Sequence, residues 1–135
     1  MNTYYVTDKD FYKSEIFNDF LEQNPGKGYL RIRAFTASQA IPMSGLQVEV
    51  SKTIMNNKVI FFEGVTDESG VTPRIVLPAP KTNSDNLVAP LTTSYDINVY
   101  YKPQDIKQSY TVRIYDGLCV AQNINIVPSS MMGGL

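Results

Sequence analysis

The sequence predicts an all-β fold, a seven-stranded antiparallel Greek-key sandwich preceded by a short N-terminal amphipathic helix, on three observations. From residue 28 onward, apolar side chains recur with period two, the pattern of strands with one buried face. Turn residues interrupt that alternation about every ten positions. One polar stretch, residues 81–93, is too long for a tight hairpin and is expected to cross between sheets. Many short strands joined by turns, with one long connection, favour a sandwich over an α/β fold.

The helix is read from residues 8–22. Phe11, Tyr12, Ile16, Phe17, Phe20 and Leu21 fall on one face, and Lys9, Lys13, Glu15, Asp19 and Glu22 on the other. Thr7 or Asp8 is placed to cap its start. Asn24-Pro25-Gly26 ends it, because proline disfavours helical geometry in the residue before it. Its apolar face either plugs one end of the sandwich or docks a neighbouring subunit.

The strands follow in order. Residues 28–37 put Leu30, Ile32 and Ala34 on one face and Tyr29, Arg31, Arg33 and Phe35 on the other. Residues 46–52 turn Val48 and Val50 inward, and Asn56-Asn57-Lys58 reverses the chain. Residues 59–66 and 71–77 are expected to pair as a hairpin about Asp67-Glu68-Ser69-Gly70, where glycine supplies a positive φ and Asp67 and Ser69 bond their own backbone. Residues 94–101 place Tyr95, Ile97, Val99 and Tyr101 on one face, and Lys102-Pro103-Gln104-Asp105 ends that run. Residues 109–115 and 118–127 form the last expected hairpin, about Asp116-Gly117. The domain plan is a helical leader (residues 1–27), a sandwich (28–128) and a tail (129–135).

Composition narrows the chemistry. Twelve basic against thirteen acidic residues leave a net charge of −1, with the cations scattered along the sequence, so nucleic acid is not an expected partner. No window approaches the roughly 20 apolar residues of a membrane span, and the first residues lack a secretory pattern. Synthesis in the cytoplasm without a signal peptide is therefore expected. The single cysteine, Cys119, lies between Leu118 and Val120 and reads as a small buried hydrophobe. With no histidine in the chain, the Ser-His-Asp and Cys-His arrangements and the usual zinc sites are absent. Glu63, Asp67 and Glu68 are the nearest carboxylate cluster, but turn formation accounts for them better than acid-base catalysis or calcium binding. No catalytic, cofactor-binding or metal residues are expected, and no cofactor.

The runs GYLRIRAFTASQAIPMSGLQVEVSK, FFEGVTDESGVTPRIVLPAP and YDINVYY together resemble the transthyretin-like or carboxypeptidase-regulatory-like module, a sandwich of the prealbumin kind related in style to immunoglobulin-like domains. The likeness covers about residues 28–127. The elements NPGKGYL, AIP, TDESG, LPAP and YDG are similar to modules in spore- and envelope-associated proteins of Gram-positive spore formers. That resemblance implies a non-catalytic interaction module, a subunit of a surface, spore or envelope assembly. One alternative is a decoration, tail or baseplate component of a phage-like particle, and another a peptidoglycan- or carbohydrate-binding module. The implied partners are proteins, with a homo-oligomer or larger assembly and possible contact with peptidoglycan, and the implied final location is the spore, envelope or particle. Interface candidates are Phe11, Ile16, Phe17, Phe20 and Leu21 on the helix, Tyr100, Tyr101 and Tyr115 on the strands, and Met131, Met132 and Leu135 in the tail.

Overall fold

The computed structural model describes residues 1–36, 41–81 and 91–127. Before the sandwich proper come β1 (Thr3–Tyr5), α1 (Lys9–Tyr12) and α2 (Glu15–Gln23). The helical stretch is thus two helices. Asp8 caps the first by accepting from the Asp10 amide at 3.0 Å, and Ser14 starts the second by accepting from the Phe17 amide at 3.3 Å.

The strands that follow are β2 (Gly26–Thr36), β3 (Ile41–Pro42), β4 (Gln47–Ile54), β5 (Asn57–Val65), β6 (Ile75–Ala79), β7 (Thr93–Tyr101), β8 (Ile106–Ile114) and β9 (Cys119–Asn125). They form two sheets. One has the order β1-β5-β4-β7-β8; the other has β3 and β6 on one side of β2 and β9 on the opposite side. The all-β sandwich is as expected, with nine strands among the described residues, and two of its pairings, β1 with β5 and β2 with β9, are parallel.

Both expected hairpins are corrected. The Asp67–Gly70 turn forms as read: Asp67 Oδ1 accepts from the amides of Ser69 and Val71, and Gly70 has φ +76°. The chain then leaves for the other sheet, because Thr72 bonds Ile32 of β2 through both its amide (3.0 Å) and its hydroxyl (3.1 Å). Asp116-Gly117 behaves alike. Asp116 Oδ1 accepts from the Lys27 amide and the Gly117 amide donates to the Lys27 carbonyl, so the turn is bonded to β2 and β9 emerges parallel to that strand. Tight reversals within a sheet occur elsewhere: Met55 (φ 49°) and Asn56 (φ 63°) join β4 to β5, and a 3-10 turn, Lys102–Gln104, joins β7 to β8. β6 and β7, on either side of the expected crossover, belong to different sheets, and residues 82–90 between them lie outside the described residues.

Between the sheets lies one core, with Leu30, Ile32, Val50, Leu77, Ile97, Ile114 and Ile124 fully buried. Phe11, Phe17 and Phe20 belong to it. Their rings form a chain from Tyr4 (4.7 Å to Phe11) through Phe17 to Phe61, which meets Tyr95 edge-on at 5.1 Å. These three phenylalanines are therefore unavailable as interface residues, and Ile16 and Leu21 are half-buried against the same core. Cys119 departs from expectation too. It starts β9 with its side chain on the outer face and is exposed.

Candidate functional site

Four strands of the larger sheet carry a row of polar side chains on the face turned away from the core. Register makes the row: Glu63 of β5 stands opposite Glu49 of β4, Glu49 opposite Asn98 of β7, and Asn98 opposite Ser109 of β8. Directly opposed residues hold their Cβ atoms about 5 Å apart, so neighbouring groups in the row can share a ligand. Ser109 Oγ donates to Asn98 Oδ1 at 2.6 Å, and Asn98 Nδ2 lies 3.5 Å from Glu49 Oε1.

The two glutamates have different partners. Glu49 is paired with the Lys58 ammonium at 2.6 Å, the one ion pair among the described residues. Glu63 accepts from the Tyr5 hydroxyl through Oε2 at 3.3 Å, a bond that brings β1 into the site. The Glu63 charge beside it is the main reason that the Tyr5 phenol titrates above its usual range. Two carboxylates thus stand side by side, one paired with an ammonium and the other accepting from a phenol.

Around this row lies a groove of about 550 Å³, floored by residues 47–49, 63–65, 98–100 and 107–109. That volume suits a small molecule. On the core side of β5, Gly64 leaves room for the Phe62 ring, which a Cβ there would approach to 2.7 Å. On the β8 side of the groove the Lys107 ammonium sits 5.4 Å above the Tyr100 ring.

The expected site residues fare unevenly. Tyr100 lines the groove, whereas Tyr101 is the next residue on the same strand, faces the opposite side and packs on the core. Tyr115 lies beyond the far end of β8, so the three tyrosines do not share a surface. Met131, Met132 and Leu135 lie outside the described residues. The carboxylate cluster also divides: Asp67 is occupied by the two amides of its own turn, and Glu63 joins Glu49 instead. Glu49, Asn98 and Ser109 were not singled out from the sequence. Their only signal is that each occupies an outward position of an alternating strand, and pairing them requires the register.

No family model matches the chain, and no curated protein matches it. Among solved structures, 5-hydroxyisourate hydrolase from Klebsiella pneumoniae is similar, with a TM-score of 0.51 over 75% of this chain and 90% of that one, at 13% identity. This corrects the functional expectation. The sequence resemblance implies a non-catalytic assembly module, but a protein sharing the architecture is an enzyme, and nothing found supports a structural role in a spore, envelope or phage-like particle. At this identity the likeness establishes the architecture alone: the chain is an all-β sandwich of the transthyretin-like fold.

Proposed function

We propose that the chain is a hydrolase of a small polar substrate, acting in the groove over β4, β5, β7 and β8. The observation that carries this reading is the Glu63–Glu49–Asn98–Ser109 row, with Tyr5 and Lys58 fixing the two carboxylates from its sides. A fold that supports hydrolysis in another protein makes the reading reasonable.

Glu63 is the proton acceptor. One of its oxygens is held by Tyr5, and the other has no bond among the described residues and faces a groove open to water. As a water oxygen adds to the substrate's carbonyl carbon, Glu63 takes the water proton and later returns it to the leaving nitrogen or oxygen, so the carboxylate is regenerated. The Lys107 ammonium on the facing wall offsets the negative charge that grows on the carbonyl oxygen. Asn98 and Ser109 bond the substrate's polar groups. No histidine is required, since carboxylates alone suffice for acid-base catalysis at a cleft.

The test is a panel of small cyclic ureides, amides and esters, with 5-hydroxyisourate included, each assayed with the intact chain and with Glu63→Gln. Turnover that is lost in the variant supports the reading. Absence of turnover over the whole panel, or turnover that survives Glu63→Gln, refutes it.

A further inference from the structure

The opposite face of the molecule has another character. On β2, the outward positions are Lys27, Tyr29, Arg31, Arg33 and Phe35, in alternation with the buried Gly28, Leu30, Ile32 and Ala34. Arg74, just before β6, adds its guanidinium 4.4 Å above the Tyr29 ring, and Arg33 sits 5.4 Å from the centre of the Phe35 ring. Cations that were scattered in the sequence are thus gathered by folding: three of the chain's four arginines share one sheet face. None of these cations is in an ion pair among the described residues. Asp116 accepts from the Lys27 amide, and Asp67 accepts from amides within its own turn. Beside β2, strand β9 presents Ala121, Asn123 and Asn125 in register with Arg31, Arg33 and Phe35, giving small and amide side chains that leave the face open.

We infer that this face binds single-stranded nucleic acid. Same-face residues on a strand repeat at about 6.7 Å, a spacing that phosphates along an extended single strand can match. Guanidinium groups set beside aromatic rings combine N–H donors for phosphates with planar groups on which bases can stack. Interleaved rings and cations on an open sheet, flanked by asparagines, distinguish this ligand from an acidic peptide, which would use the cations and leave the rings idle. A duplex needs a larger basic footprint than these four side chains supply. The surface is separate from the groove, and its occupancy does not depend on the hydrolase reading.

The experiment is fluorescence anisotropy of a labelled oligothymidine of about 20 nucleotides with the full chain, starting near 50 mM salt, against an oligoglutamate of equal charge. Contact with four phosphates gives a slope of log affinity against log salt of about −2.8, and Arg31→Gln with Arg33→Gln reduces its magnitude by about 1.4. Arg74→Gln alone reduces it by about 0.7. Lys9→Gln with Lys13→Gln, at the exposed first residue of α1 and at its exposed C-cap, removes the same charge elsewhere and leaves the slope unchanged. Circular dichroism checks that each variant is folded. No binding at low salt, equal binding of oligoglutamate, or equal losses in the α1 variant overturns the inference.

Discussion

Thr66 lies 3% exposed where the chain leaves the larger sheet, and its hydroxyl makes two bonds. It accepts from the Leu46 amide at 3.0 Å and donates to the Met43 carbonyl at 2.7 Å. Thr66→Val preserves shape and removes both. The Leu46 amide and Met43 carbonyl are then left without those partners in a buried setting, at about 1–3 kcal/mol for each unsatisfied group, so a loss of about 2–6 kcal/mol is expected. For a domain of this size that corresponds to about 8–24 °C in melting temperature. Thr66→Ser keeps the hydroxyl and loses one buried methyl, so it is expected to cost only about 1 kcal/mol. Thermal unfolding by circular dichroism, with urea titrations to show an unchanged slope, measures both. A shift below about 3 °C for Thr66→Val, or a serine variant as unstable as the valine variant, refutes the staple.

Other perturbations test separate features. Gly28→Ala is expected to be severely destabilising, because its Cβ would stand 2.3 Å from Ile114 Cγ2 and 2.4 Å from the Tyr115 carbonyl oxygen; urea midpoints decide this. Phe17→Ala should cost about 3–5 kcal/mol, whereas a phenylalanine on a free docking face would cost little. Burial raises the Tyr95 phenol well above its ordinary value, and its hydroxyl donates to the Pro78 carbonyl. A folded-state value above the unfolded one means that this contribution is complete below pH ~10 and is lost as pH rises beyond it. Stability against pH should therefore fall less steeply above pH ~10 in Tyr95→Phe than in the parent chain. Cys119 should react with a thiol reagent in the native protein as fast as in the unfolded one, and strong protection would contradict its exposure.

The period-two pattern located strands because it reports on burial, and burial is decided residue by residue: Leu30, Ile32, Val48, Val50, Ile97 and Val99 all face inward as their alternation requires. Pairing was less legible. Asp67–Gly70 and Asp116-Gly117 carry turn chemistry, and both are turns, but a turn fixes only local direction. Which sheet the chain enters next depends on bonds from Thr72 to Ile32 and from Asp116 to Lys27, between residues 40 and 89 positions apart. The true β4–β5 reversal uses Met55 and Asn56 at positive φ, and methionine is not a residue that announces such a turn. Cys119 looked apolar by its neighbours, yet it sits outward beside Tyr29. The polar row was illegible for the same reason as the sheet order. Glu49, Glu63, Asn98 and Ser109 come from four strands, and only register sets them side by side.

The central claim is that Glu63, oriented by Tyr5, removes a proton from water in the groove. Its most direct test is the ratio of kcat/KM between the intact chain and Glu63→Gln on the best substrate of the ureide, amide and ester panel. A lost general base predicts a fall of about 10²–10⁴ with folding unchanged. An intact chain that turns over nothing in the panel, or a variant within about twofold of the parent where general-base loss should cost about 10² or more, would contradict the account.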